Sequence, residues 1–240
     1  MKIEMPKALA FDVFGTVVDW RSSIAREAAP VLERIGRTDI DPFDFADRWR
    51  AKYLPALLAS NKAERGFVKL DVLHREMLDA LLAELNIGRE DLDEAARSHL
   101  ALAWHRLDPW PDSVAGLTRL KTQFPIVTLS NGNISLMINL ARRSGLPWDA
   151  ILGAEIAQAY KPARQVYLAT AAALDITPDE LCLVAAHHSD LAAARAAGLM
   201  TAFIPRPMEY GGAPAPDLSY EQAWEFQADS LTGLADQLGC

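Results

Sequence analysis

An α/β fold is predicted for this chain: a parallel sheet wound with helices and split by a helical insertion. Three observations carry the prediction. Short apolar runs at 7–12, 124–129, 181–186 and 200–204 end at polar residues or turns. Helical patterns alternate with the later runs, which indicates parallel βαβ units. Between the first run and the second, residues 21–107 show helical spacing and few strand signals. The expected division is a core of 1–20 and 108–240 with a helical cap of 21–107.

Each element has its own reason. The first strand, 7–12, is apolar up to Asp12 and is followed by Gly15-Thr16. A carboxylate is thereby delivered to the C-terminal edge of a buried strand, where open α/β sheets bind ligands. In the insertion, Ile24, Ala28, Val31, Leu32 and Ile35 follow a capping Ser22. Asp41-Pro42 opens a second helix through Trp49 and Tyr53, with Pro55 predicting a kink or break. Leu70, Leu73, Met77, Leu81 and Leu85 mark a third over 67–85, and a fourth spans 91–107. Beyond it come a helix from Ser113 to Thr122 and the strand ending at Ser130-Asn131-Gly132. A helix over 134–144 closes at Gly145, and a short apolar segment, 151–154, precedes Tyr160-Lys161-Pro162. The helix over 164–174 leads to the strand ending at His187-His188-Ser189-Asp190. A helix over 191–197 and the strand 200–204 follow. The tail from Arg206 reads as loose, with an edge strand near Gln227 and a short final helix.

Bulk properties narrow the function. With 240 residues, half of them hydrophobic, the chain can bury a sizeable core. A net charge of −8 with no basic stripe argues against nucleic acid. No apolar run reaches the roughly 18–20 residues of a membrane span, and residues 1–7 lack the apolar core of a signal peptide. Cys182 and Cys240 offer neither a disulfide framework nor a metal-ligand spacing, which fits a reducing cytoplasm. The histidines His74, His99 and His105 are expected as surface or packing residues, and His188 as solvent-facing. Trp20 and Trp49, nearest the polar strand ends, are placed to wall a small pocket.

Four strand or loop ends bring polar groups that can meet at one edge: Asp12, Ser130-Asn131, Lys161 and Asp190. Taken singly, each has an ordinary reading. Asp12 and Asp190 can be helix N-caps, Ser130-Asn131-Gly132 a turn, and Lys161 a solvated surface cation. The set and its order are the signal.

That set resembles the haloacid dehalogenase superfamily, and within it the type II 2-haloacid dehalogenases. The matching segments are Asp12-Val13-Phe14-Gly15-Thr16, Ser130-Asn131-Gly132, Tyr160-Lys161-Pro162 with Val166-Tyr167, and Trp49-Arg50 in the insertion. The resemblance covers nearly the whole chain and implies a Rossmann-like core with an inserted cap. It also implies hydrolysis of small 2-haloacids to 2-hydroxy acids with inversion, through an Asp12 ester. Ser130, Thr16 and the backbone amides of Val13 and Phe14 would bind substrate, and Arg50 with Asn131 would receive the halide. Lys161 would keep Asp12 ionised. Asp190, with or without His187, would handle the water, and Tyr167 would steady the network. No metal or cofactor is implied, and a homodimer is.

The chain departs from the phosphatases of the superfamily it resembles at Phe14, where they carry a general acid, and it has a single acid, Asp190, in the last motif. A halide leaves without a proton, so the chemistry tolerates Phe14. It departs from the better-known dehalogenases at Ala185 and His187, where they have Ser and Asn. His187 can replace the Asn contact, narrow the halide pocket towards fluoride, or be a loop histidine. Three other functions compete: a Mg²⁺-dependent phosphatase, ring opening of a small strained amino acid, and a non-catalytic binder of small carboxylates.

Overall fold

The computed structural model describes residues 4–62, 66–213 and 223–240. Strand β1 (Ala8–Phe11) is followed by the short β2 (Val18–Asp19). Then come α1 (Trp20–Arg34), α2 (Pro42–Ala51), α3 (Tyr53–Lys62), α4 (Leu70–Glu84) and α5 (Glu94–Ala101), with a 3₁₀ turn (Leu102–Arg106) leading to β3 (Asp108–Pro109). Next are α6 (Ser113–Leu120), β4 (Ile126–Ser130), α7 (Ile134–Ser144), β5 (Ala150–Gly153), α8 (Ala154–Ala157) and α9 (Arg164–Ala173). The chain ends with β6 (Leu181–Ala185), α10 (His188–Ala197), β7 (Met200–Phe203), β8 (Phe226–Gln227) and α11 (Leu231–Leu238).

The sheet is parallel and runs β5-β4-β1-β6-β7-β8. The chain winds outward from β1 through β4 and β5, then returns to β1's other side with β6. The strand order therefore reverses beside β1, and the crevice outside the carboxyl ends of β1 and β6 is the ligand position of such sheets. The predicted α/β, Rossmann-like sheet is what forms.

Side-chain size in β1 explains how the sheet is covered. Leu9 and Phe11 point to one face, whose apolar cluster runs on through Trp20, Ile24, Trp49, Leu73 and Trp104 of the 20–104 segment. Ala8 and Ala10 point to the other, where Val166, Tyr167, Leu191 and Ala194 of α9 and α10 press in. All four β1 residues are buried, which is why the run is continuously apolar rather than alternating.

Several elements differ from expectation. The second helical stretch breaks at Lys52, before Pro55, and Pro55 falls in the first turn of α3, where its missing N–H costs nothing. Helix α5 is capped by Asp93, whose side chain accepts from the Ala96 amide at 2.9 Å, and tightens into the 3₁₀ turn instead of running to 107. The antiparallel pair β2–β3, Val18 on Pro109 and Asp19 on Asp108, is too short to show any periodicity. It brings the two ends of the 20–107 segment side by side. The expectations for residues 1–3 and for the tail at 214–222 lie outside the described residues. Among the described residues, no helix is long and apolar enough to cross a membrane.

Candidate active site

The loop leaving β1 is built to present Asp12. Thr16 Oγ donates to Asp12 Oδ2 at 2.7 Å and accepts from the Ala186 amide at 2.9 Å, tying the loop to the end of β6. Gly15, at φ +87°, turns the chain. A Cβ there would come within 2.2 Å of Glu209 Oε1. Gly15→Ala is therefore expected to cost at least about 1–2 kcal/mol from the left-handed backbone alone. It also pushes Glu209 aside, so a chemical melt should show lost stability and an activity assay lost rate. Wild-type values for both would refute this account of Gly15.

Lys161, in the loop after α8, reaches Asp12 Oδ1 at 2.9 Å and Asp190 Oδ2 at 2.5 Å. Asp190, in the first turn of α10, also accepts from Tyr167 Oη of α9 at 2.6 Å. Asn131, just after β4, accepts from the Lys161 N–H through its Oδ1 at 2.8 Å and so sets the loop that carries the lysine. Asp12 and Lys161 are each 7% exposed, so this is a buried ion pair in which the ammonium serves two carboxylates. Burial pushes the Asp12 carboxyl up, but Lys161, and His187 beside it, outweigh that and hold it well below the usual range. Burial likewise pulls Lys161 down, and its two carboxylates more than reverse the effect.

His187 follows β6. Its Nδ1 lies 3.3 Å from Asp12 Oδ2. Its Nε2 is 3.0 and 3.1 Å from the two oxygens of Glu209, a buried carboxylate that also accepts from Trp20 Nε1 at 3.0 Å. Burial lowers the imidazole, but Glu209 and Asp12 raise it to about 10. His187 is thus an imidazolium at neutral pH, not a solvated loop residue.

These groups open on a cavity of about 260 Å³. Asp12, Asn131, Lys161, His187 and Asp190 line it. Phe14, Arg50, Tyr53 and Leu54 line it too, with Ser189 and Pro162. Arg50, on α2, lies over the Tyr53 ring at 4.0 Å and the Trp20 ring at 5.4 Å. Its Nη1 is buried with no hydrogen-bond partner, a donor left for an anion. Phe14 is enclosed by Tyr53, His74 and Trp104.

Of the residues singled out from sequence, Val13, Thr16, Ser130 and Tyr167 do not line this cavity. Thr16 and Tyr167 instead hold Asp12 and Asp190. Ser130 Oγ accepts from the Gly132 amide at 3.1 Å, a bond that fixes the turn and leaves the hydroxyl hydrogen free to donate. Among the described residues, no backbone carbonyl takes up the Val13 or Phe14 amide. Trp20 and Trp49 stand behind the cavity rather than in it. His188, expected in solvent, is stacked on Phe203 and Trp224 and accepts from Trp224 Nε1 at 3.1 Å. His74 is fully buried, and His105 pairs with Asp71 at 2.9 Å.

Two contributors escaped sequence reasoning. Glu209 belongs to the tail after β7, fixed there because Arg206 donates to the Thr16 carbonyl and to Asp112. Asn61, on α3, bonds the backbone N–H and C=O of Tyr160 at 2.8 and 2.9 Å, clamping the segment before Lys161. Neither carries a spacing or motif that could have marked it.

Mg²⁺, which phosphatases of the resembled superfamily bind, does not fit this donor set. It needs several hard oxygen ligands. Here Asp12 Oδ1 faces an ammonium, and Oδ2 faces a hydroxyl and an imidazolium.

Comparisons with known proteins agree with this geometry. The haloacid dehalogenase-like hydrolase model matches residues 6–198. A crystal structure of a defluorinating L-2-haloacid dehalogenase is 48% identical, covers 98% of this chain and 96% of its own, and superposes with a TM-score of 0.94. (S)-2-haloacid dehalogenase 1 of Pseudomonas sp. strain CBS-3 is 29% identical over 87% of this chain and 89% of its own. A phosphoglycolate phosphatase of Chromobacterium violaceum is also 29% identical, over 82% of this chain and 84% of its own. With the model matched over most of its length, the chain belongs to the haloacid dehalogenase-like hydrolase family.

Proposed function

We propose that the protein hydrolyses small 2-haloacids to 2-hydroxy acids with inversion at C2. One observation carries the reading. Asp12, held ionised, and Arg50, with an unpartnered donor, line one small cavity in which Phe14 takes the place of a proton donor. Such a site suits a leaving group that departs as an anion and needs no proton.

Asp12 attacks C2 and the carbon–halogen bond breaks, forming an aspartyl ester. Arg50 and Asn131 face the departing halide, where charge develops in the transition state. The Val13 and Phe14 amides, which no backbone carbonyl takes up among the described residues, bind the substrate carboxylate. Water then attacks the ester carbonyl. Lys161 keeps the Asp12 carboxylate ready for the first step, and Asp190 and Tyr167 hold Lys161 in place. The helices of 21–107 act as the cap that closes over the site and limits water.

The cavity's size and the bulk of His187 beside Asp12 extend the reading to fluoroacetate, and the 48% identical relative described as defluorinating supports the extension. The unpaired Cys182 and Cys240 fit a reducing cytoplasm, and the family resemblance favours a homodimer. The phosphatase reading loses on Phe14 and on the cations around Asp12.

Halide release from chloroacetate, fluoroacetate and both 2-chloropropionate enantiomers tests this, with and without EDTA. Release of halide from the S enantiomer, undiminished by EDTA, is expected. Mg²⁺-dependent release of phosphate from p-nitrophenyl phosphate, with no halide from any haloacid, would sink the proposal.

A further inference from the structure

We infer that His187 is the base that activates water for hydrolysis of the Asp12 ester, and that Glu209 is the positioning residue that fits it for the task. The inference rests on the ester chemistry proposed above and assigns its second half.

Asp190 is poorly free to act as that base. Its Oδ2 accepts from Lys161 at 2.5 Å and its Oδ1 from Tyr167 at 2.6 Å, so both oxygens hold structure. His187 is differently placed. Its Nδ1 lies 3.3 Å from Asp12 Oδ2, beside the carbonyl carbon that water must attack. The ring lines the cavity, and its side chain is 19% exposed. Its far nitrogen is fixed on Glu209, whose own side chain is 4% exposed and pinned by Trp20. A carboxylate accepting Nε2–H selects the tautomer whose lone pair sits on Nδ1, facing Asp12. Lys161 and Asp190 lie beyond Asp12, and Arg50 adds positive charge on the Glu209 side.

The protonation state follows the reaction. In the free enzyme, Glu209 and Asp12 together keep His187 an imidazolium. When the bond from Asp12 to C2 forms and the halide leaves with its electron pair, Asp12 loses its charge. The Nδ1 proton has then lost the negative charge that helped hold it and passes to solvent. In the second half, water oxygen bonds to the Asp12 carbonyl carbon and neutral His187 takes one water proton. The ester C–O bond breaks, the departing alkoxide takes the second proton, and the 2-hydroxy acid leaves. Asp12 is again a carboxylate facing an imidazolium. The sum is haloacid plus water giving hydroxy acid, halide and one proton, with the proton released in the first half.

Rapid-mixing experiments with excess chloroacetate test this by following halide, proton and Asp12-peptide mass. In the wild-type enzyme, the proton is expected to appear with the first-turnover halide. His187→Ala is expected to release one halide per site and then stall, with hydrolysis slowed on the order of 10²-fold or more and the ester found on Asp12. In that variant the proton should trail the halide and appear only with hydrolysis. Glu209→Gln should also accumulate ester, with a smaller slowing, because the imidazole remains but its tautomer is no longer fixed. The retained halide burst shows that a variant is folded. A proton that trails halide in the wild-type enzyme would overturn the inference. So would variants that hydrolyse the ester at the wild-type rate, or that lose both halves equally. A wild-type enzyme that forms no ester and releases no halide would instead refute the function proposed above.

Discussion

Asp12→Asn should cut halide release by on the order of 10⁴-fold or more, because the group that forms the bond to carbon is gone. An amide is neutral and a poor nucleophile for displacement at C2. The fold should survive the change. Lys161 keeps Asp190 as a partner, and His187 keeps Glu209, so neither cation is left alone in the interior. The Asn side chain still offers Thr16 an acceptor. A loss of no more than about 1–3 kcal/mol is expected, the scale of weakening one charged hydrogen-bond set. A halide electrode reads the first effect and a urea melt the second. Turnover within tenfold of wild type would exclude Asp12 as the nucleophile. A parallel collapse of stability would mean that the lost rate says nothing about chemistry.

How much of this was readable beforehand depends on the kind of interaction. Strands at 126–130, 181–185 and 200–203 were legible because burial on both faces leaves an uninterrupted apolar run. Asp12 and Asn131 were legible because each directly follows such a run, and a strand end fixes where its next residue goes, while Lys161 and Asp190 were legible only as members of the ordered set. Boundaries in the 21–107 segment were less so, since caps such as Asp93 and the 3₁₀ ending after α5 act locally and leave the hydrophobic period unchanged. His188 misled because its stacking partners, Phe203 and Trp224, are remote in sequence. Glu209 was invisible for a related reason. Its partners, Trp20 and His187, are 189 and 22 residues away, and its segment has no period to read. Gly15 and Glu209 make sense only together: the absent Cβ is the space in which the carboxylate sits.

Lys161→Met should damage both rate and stability, and pH separates its two effects. Lys161 is the buried cation between Asp12 and Asp190, and removing it leaves two carboxylates facing each other across the gap. Breaking such a pair costs about 3–5 kcal/mol at neutral pH, and the lost electrostatic support for Asp12 should lower kcat/KM about 10³-fold. The folded Asp12 carboxyl lies below its unfolded value of 3.8. It therefore contributes stability that is present above 3.8 and lost as pH falls through the folded value. The folded Lys161 ammonium lies above its unfolded value of 10.5, so its contribution is present below 10.5 and lost as pH rises through the folded value. The pair thus stabilises the fold across the whole interval from 3.8 to 10.5. In the variant, burial still pushes Asp12 up while the opposition from Lys161 is gone and that from His187 remains, so its pKa rises. The acid limb of kcat/KM must then move to higher pH. The stability deficit must narrow as pH falls and Asp12 protonates. Urea melts and rate profiles between pH 4 and 9 measure both. An acid limb that stays in place would mean that Lys161 does not set the charge on Asp12, and its role would reduce to holding Asp190.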